Sequence, residues 1–211
     1  SRPRLLRPSA QFQRPRPLGC RGLGSEHDRM CGICGIFNYG TGAPASRAVL
    51  ESMAASIRHR GPDDDGFHVD GALGFGFRRL SIIDLTTGHQ PMANEDATCW
   101  IILNGEIYNY RDLRAELLSA GHTFRTQSDT ETIVHGFEQW GADVTNRLNG
   151  IFGFALWDAP RRELLLARDQ LGVKPVYYYD DGKRLLFASE IKAPLVHPRI
   201  QASADWAGIQ Q

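Results

Sequence analysis

The sequence is poor in cysteine, with only four in 211 residues, at irregular spacings. A small secreted domain held together by disulfides uses more cysteines in a regular framework. This scarcity argues against an extracellular disulfide scaffold. A reducing compartment is the simplest environment for so few thiols, so we expect a cytoplasmic protein.

Long apolar segments are also missing from the sequence. A membrane-spanning helix needs about 18 or more consecutive apolar residues, and the longest runs here, such as residues 164–167, are far shorter. The first 30 residues lack the apolar stretch of a secretory signal. The sequence therefore predicts a soluble protein with no membrane partner.

The sequence has no excess charge of either sign, but its charges are unevenly spread. Residues 1–30 hold seven arginines, whereas residues 31–211 hold 17 basic and 22 acidic side chains. A mildly acidic body gives no support for nucleic-acid binding. A segment so rich in Arg and Pro cannot form a core, so we expect residues 1–30 to be disordered or not part of the mature protein.

From residue 31 onward, strand-like and helix-like segments follow one another. Apolar and β-branched runs predict strands at 31–39, 71–84 and 99–105, and helical spacing with end signals predicts helices at 46–57, 110–120 and 128–140. Four β-like runs after residue 150 predict a meander of antiparallel strands, with a short helix near 190–195. This order favours an α+β layered sandwich over a single parallel sheet.

Two cysteines three positions apart, Cys31 and Cys34, form a CxxC pattern in the first of these strands. Alternate residues of a strand point to opposite faces, so these two thiols are poor partners for a dithiol. A structural zinc site needs four ligands at fixed spacing, and neither Cys99 nor the seven histidines supply them. The sequence therefore predicts no metal, and Cys34 fits a small buried apolar residue.

Cys31 differs from Cys34 because Met30 precedes it directly. Removing that methionine would expose a residue that carries both a thiol and an α-amine. An α-amino group has a pKa of roughly 7.7–8.0 and can accept the proton of a thiol whose pKa is about 8.5. Cys31 could then act as a nucleophile without a histidine.

Three polar motifs follow, and each has an ordinary alternative. Arg78 and Arg79 face opposite sides of a strand, where one could bind a carboxylate, or both could be surface charges. Asn104-Gly105 could stabilise an oxyanion, or could simply form a turn. Asp129 follows the helix-capping Ser128 and could bind an ammonium group, or only complement the helix dipole.

Taken together, in this order and spacing, the motifs resemble the N-terminal glutaminase domain of the glutamine-hydrolysing asparagine synthetases. That domain is a class II glutamine amidotransferase of the N-terminal-nucleophile (Ntn) hydrolase type. The resemblance covers essentially all of residues 31–199. It is carried by "MCGICGIF" (30–37), "RHRGPD" (58–63), "RRLSIIDL" (78–85), "GHQPM" (88–92), "NGEIYNY" (104–110), "SDTETI" (128–133), "GIFGFALWD" (150–158) and "ARDQLGVKPVYY" (167–178).

The resemblance implies a four-layer αββα Ntn-hydrolase sandwich with two mainly antiparallel sheets. It also implies that Cys31 is the nucleophile with its own α-amine as base, and that Asn104 and Gly105 form the oxyanion hole. Arg79 would bind the α-carboxylate of L-glutamine, and Glu106 and Asp129 its α-ammonium group. The "RHRGPDD" stretch could shape a loop over the pocket or simply be a helix-ending Gly-Pro turn with solvated charges, so we do not expect Arg60 to be catalytic.

The sequence departs from this family at both ends. A Cys31 whose nitrogen lies in a peptide bond has lost its base, so either translation starts at Met30 or the preceding segment is removed. We expect a glutaminase domain at 31–199 that needs no cofactor, and a linker beginning at 200–211. The resemblance places ATP and Mg in a missing C-terminal synthetase domain of the same chain.

Several alternatives stay open at this stage. The domain could serve another class II amidotransferase, such as one that makes an amino sugar or a purine precursor. It could be an inactive fragment with a blocked N-terminus, or a thiol-based binding module. The sequence also leaves a homodimer open.

Overall fold

The computed structural model describes residues 4–6, 30–80 and 88–203 of the chain. These contain ten strands, five α-helices and a 3-10 turn at Gly141–Asp143. The strands are β1 (Arg4–Leu6), β2 (Gly32–Phe37), β3 (Asp64–Asp70), β4 (Leu73–Arg79), β5 (Met92–Ala93), β6 (Cys99–Ile107), β7 (Gly150–Asp158), β8 (Glu163–Arg168), β9 (Tyr177–Asp180) and β10 (Leu185–Ala188). The helices are α1 (Arg47–Ser56), α2 (Tyr110–Ser119), α3 (Asp129–Trp140), α4 (Val144–Arg147) and α5 (Lys192–Leu195).

The strands form two five-stranded sheets. Sheet A has the order β1-β8-β7-β6-β5, and sheet B has the order β3-β4-β2-β10-β9. The pairings are antiparallel, except that β1 runs parallel to β8. Three residues of the N-terminal segment thus extend the edge of sheet A.

Three apolar clusters define the layers of the molecule. Ile33 of sheet B and Ile102 of sheet A share the cluster between the two sheets. Leu50 and Met53 of α1 pack on the other side of sheet B, and Ile133 of α3 packs on the other side of sheet A. Helix, sheet, sheet and helix therefore follow in order, which confirms the predicted αββα sandwich.

The helix ends follow the predicted signals, with one difference. Ser46 caps α1 by accepting a hydrogen bond from Val49 N, and Ser128 caps α3 by accepting one from Thr130 N. The stretch "SDTE" at 128–131 has the pattern of a capping box, in which the acidic residue reaches back to the capping residue itself. Glu131 instead accepts hydrogen bonds from Arg125 N and Thr126 N, so it orders the loop before α3.

Two predictions about strands were wrong. The four strands after residue 150 do not form one meander, because β7 and β8 belong to sheet A whereas β9 and β10 belong to sheet B. Strand β3, which begins at Asp64, lies in none of the predicted strands. Two predicted segments lie partly outside the described residues. These are the "RRLSIIDL" motif with the residues after it, of which 81–87 are not described, and the linker, of which 204–211 are not described.

No helix among the described residues is both long enough and apolar enough to cross a membrane.

Candidate active site

Cys31 and Cys34 lie on opposite faces of sheet B, as the strand pattern predicts. Cys31 packs against the apolar cluster between the sheets and is partly exposed. Cys34 is fully buried in the cluster beneath α1. Burial raises the pKa of the Cys34 thiol to about 12, so this thiol is unreactive near neutral pH.

The two adjacent arginines at the end of β4 have different surroundings. Gly32 pairs with Arg78, which places Arg79 level with Cys31. Arg78 donates hydrogen bonds to Ala54 O (3.2 Å) and to Asp65 Oδ2 (2.8 Å). Arg78 is therefore held by structural partners, and Arg79 is the arginine whose charge acts on the Cys31 thiol.

The Cys31 thiol experiences opposing influences. Burial is the largest and raises its pKa, while a hydrogen bond with the Leu80 backbone and the charges of Arg79 and Arg60 lower it. The net result is a pKa above the usual range for cysteine. Because the thiolate is the nucleophile, a thiol in this state needs a nearby base at neutral pH.

Asn104 provides a buried hydrogen-bond donor near the end of β6. Ile102 belongs to the cluster between the sheets and Leu103 to the outer cluster, so strand alternation directs Asn104 toward the space between the sheets. Its side chain is 2% exposed, and Nδ2 forms no hydrogen bond with any described residue. A buried amide without a partner is unfavourable by about 1–3 kcal/mol, and a ligand oxygen would remove that penalty.

Gly105 comes next, and its backbone requires glycine. Its φ is +151°, and a Cβ at this position would lie 2.1 Å from Ile151 O. The close pairing of β6 with β7 therefore excludes a side chain here. The backbone N–H of Gly105 is left unobstructed by any side chain of its own.

Glu106 and Asp129 form an acidic pair at the same end of sheet A. Asp129, the first residue of α3, accepts a hydrogen bond from Ile107 N at 2.9 Å, which ties the helix to β6. Burial raises the pKa of the Asp129 carboxyl most, and the charge of Glu106 raises it further, against hydrogen bonds from Ile107 and Thr130 that lower it. A cation at this position would stabilise both carboxylates.

Arg60 lies beside the nucleophile, which was not anticipated. It is 7% exposed, donates from Nε to Cys31 O at 3.2 Å, and donates from Nη1 to Glu190 Oε1 at 3.3 Å. Its Nη2 is buried without a hydrogen bond to any described residue. The "RHRGPD" motif was the sequence feature that could have indicated this position. Its helix-ending Gly-Pro pair predicts an exposed turn, whereas Arg60 is buried.

Lys174 was also missed. The loop after β8 is organised by Asp169, which accepts hydrogen bonds from the backbone N–H groups of Leu171, Val173 and Lys174. This loop presents Lys174, whose Nζ contacts Met30 Sδ. Burial lowers the pKa of Lys174, although the charges of Glu106, Cys31 and Asp169 oppose that shift.

Electrostatic interactions and adjacency on β6 connect most of the predicted residues. Cys31 feels the charge of Arg79. The charges of Cys31 and Glu106 affect the pKa of Lys174, and the charge of Glu106 affects the pKa of Asp129. Asn104, Gly105 and Glu106 are consecutive on β6. The site thus combines a thiol, cationic groups, two carboxylates and a buried amide donor.

Comparison with known proteins gives a family match over most of the chain. A family model described as a glutamine amidotransferase domain matches residues 30–211. Asparagine synthetase [glutamine-hydrolyzing] 2 of Bacillus subtilis is 44% identical over 181 residues, which cover 84% of this chain and 24% of that protein. A probable asparagine synthetase [glutamine-hydrolyzing] of Dictyostelium discoideum is 41% identical over 167 residues, covering 78% of this chain and 30% of that protein.

Solved structures show the same fold at lower sequence identity. The glutamine phosphoribosylpyrophosphate amidotransferase from B. subtilis, solved with ADP and GMP, matches with a TM-score of 0.62 and 21% identity. The match covers 79% of this chain and 43% of that one. The chain also spans only about a quarter to a third of the curated relatives named above.

Proposed function

Because this chain belongs to the glutamine amidotransferase domain family, we propose that it hydrolyses L-glutamine to glutamate and ammonia with Cys31 as the nucleophile. The observation that carries the proposal is the position of Cys31. It faces the space between the sheets beside Arg79, whereas the other two described thiols, Cys34 and Cys99, are buried.

In the proposed reaction, Cys31 Sγ attacks the side-chain amide carbon of glutamine. The α-amine of Cys31, free once Met30 is removed, accepts the thiol proton and later donates it to the leaving nitrogen. Ammonia departs and a glutamyl thioester remains on Sγ. Water then attacks the thioester, which releases glutamate and restores the thiol.

The oxyanion of the tetrahedral intermediate would be bound by Asn104 Nδ2 and Gly105 N–H. The support for this assignment is that Nδ2 is buried without a partner among the described residues. A donor already desolvated and aimed at the site need not reorganise as charge develops, and such donors are worth about 10²–10³ in rate.

The charged ends of glutamine fit the charged groups of the site. We propose that Arg79 binds the α-carboxylate, since it is the arginine of β4 whose charge acts on the Cys31 thiol. Asp129 and Glu106 would bind the α-ammonium group, whose charge would stabilise a carboxylate that burial makes harder to ionise. The carboxylate, the ammonium group and the amide carbonyl of glutamine would then each have a partner of complementary charge or hydrogen-bonding capacity.

The larger protein is proposed to be an asparagine synthetase. The two relatives named above that carry this name share 44% and 41% identity with the chain, which spans only part of their length. Ammonia from Cys31 would pass to a synthetase domain of the same chain, where ATP and Mg would activate aspartate. The free cysteines support a cytoplasmic location. A homodimer stays a prediction.

The direct test is ammonia release from glutamine by protein whose translation begins at Met30. We expect Cys31→Ala to abolish activity and Cys34→Ala to retain most of it, because Cys34 lies on the other face of the strand. Comparable activity of Cys31→Ala and the unmodified protein would reject the nucleophile. Formation of asparagine by the full-length protein, given glutamine, aspartate and MgATP, tests the acceptor separately.

A further inference from the structure

A second unusual polar group lies on the opposite side of sheet A, on helix α3. The side chain of His135 is 1% exposed. Its Nδ1 forms a 2.7 Å hydrogen bond with Glu138 Oε2, but its Nε2 is buried and forms no hydrogen bond with any described residue. A buried ring nitrogen without a partner is unfavourable, so its surroundings deserve an explanation.

Two carboxylates converge on this nitrogen. Glu95 Oε1 lies 3.5 Å from His135 Nε2 and Glu131 Oε1 lies 3.7 Å from it. The three donor atoms all lie within 4.8 Å of one another. Glu131 Oε2 accepts hydrogen bonds from Thr126 N and Thr126 Oγ1. Its Oε1 accepts one from Arg125 N and keeps a second lone pair for another partner.

The two distances from His135 Nε2, 3.5 and 3.7 Å, are close to those between ligands of one ion. Zinc lies about 2.0–2.2 Å from histidine nitrogen and carboxylate oxygen, and in a tetrahedral site such ligands are about 3.3–3.6 Å apart. We propose that His135, Glu95 and Glu131 form a binding site for a divalent transition-metal ion, with Zn²⁺ as the best-fitting ion. The site is separate from the glutamine pocket and departs from the expectation of no metal.

The hydrogen bond on the other ring nitrogen supports this assignment. Histidine ligands usually donate their second N–H to a carboxylate, which fixes the tautomer and the ring orientation. Glu138 is positioned for this, since it faces His135 Nδ1 at 2.7 Å and its Oε1 accepts a 2.7 Å hydrogen bond from Asn94 Nδ2. His135 Nε2 is thereby left as the nitrogen that can bind a metal.

The site is accessible to solvent from one side. Glu95 is exposed and lines a cavity of about 390 Å³, together with Asn94, Arg125 and Thr126. The guanidinium of Arg125 is engaged with the carbonyl oxygen of Glu95 at 3.0 Å. An ion bound here would connect the loop after β5 to helix α3, whose first residue is Asp129.

The competing occupant of Nε2 is a proton, which would make His135 an imidazolium ion among carboxylates. The experiment uses protein carrying Cys31→Ala, so that the nucleophile cannot bind zinc, after removal of metals with a chelator. ZnCl₂ is then titrated by equilibrium dialysis, with zinc counted by mass spectrometry. We expect one zinc per chain, and X-ray absorption should show nitrogen and oxygen ligands without sulfur.

Glu95→Gln is the decisive variant because an exposed side chain can change without disturbing the core. We expect it to weaken zinc binding by at least about 10- to 100-fold, because losing a group that only supports a ligand already costs that much. Glu51→Gln, on the exposed face of α1, is the matched control and should bind as the parent does. No zinc on the parent, sulfur ligation, or equal binding by Glu95→Gln would overturn the site.

Discussion

Cys31, which directly precedes strand β2, and Cys34 within that strand have the same side chain in different environments. Cys31 faces the space between the sheets, where Arg79 and Arg60 lower the pKa that burial raises. Cys34 lies under α1, where burial raises its pKa to about 12 and only Arg78 opposes it. The comparison shows that a thiol becomes a candidate nucleophile through the face that it occupies, and not through the CxxC pattern.

Among substitutions around Cys31, the largest effect should come from Asn104, the donor that shares its inner face. Asn104→Ala should lower kcat by about 10²–10³ while leaving glutamine affinity nearly unchanged, because an oxyanion exists only during the reaction. Steady-state kinetics of ammonia release measure both constants. A change confined to KM would remove Asn104 from the oxyanion hole.

The paired arginines extend the comparison to β4. Arg79→Ala should lower kcat/KM for glutamine by about 10- to 150-fold, because a lost charge-assisted hydrogen bond costs about 1.5–3 kcal/mol. Arg78→Ala removes contacts with Ala54 and Asp65 and should act mainly on stability. Thermal unfolding and kinetics of both variants separate the roles, and a larger kinetic loss in Arg78→Ala would reverse the assignment.

The smallest and most local effect concerns the two thiols themselves. In a chain whose Cys31 nitrogen is still in a peptide bond, alkylation of Cys31 by iodoacetamide should accelerate as pH rises toward its raised pKa, since only the thiolate reacts. Arg79→Ala removes a charge that lowers this pKa, so the reaction should slow. Mass spectrometry should find Cys34 unmodified in the folded protein, and equal labelling of both would contradict the face assignment.

Local patterns explain how much of the fold was predictable from the sequence. Helices α1 and α3 follow apolar spacing and the capping residues Ser46 and Ser128, which are properties of neighbouring residues. The assignment of β8 and β9 to different sheets is not local. It depends on the loop ordered by Asp169, whose partners include Phe152 N in another strand.

The candidate site also contains residues that could be predicted from the sequence and residues that could not. Cys31, Asn104, Gly105 and Asp129 stand in short motifs, so their positions could be proposed from the sequence. Arg60 and Lys174 join the site only through tertiary packing. Arg60 donates to Cys31 O, and the loop ordered by Asp169 places Lys174 against Met30, the residue before the nucleophile. The cluster around His135 joins residues 40 positions apart, Glu95 and His135, and no spacing rule connects them.

The central claim is that the α-amine of Cys31 is the base for its own thiol. The most direct measurement compares glutamine hydrolysis by a chain that begins at Cys31 with hydrolysis by the chain that retains residues 1–30, with the N-terminus of each verified by mass spectrometry. We predict activity only when Cys31 has a free amine. Equal turnover by protein in which the Met30–Cys31 peptide bond is intact would contradict the account.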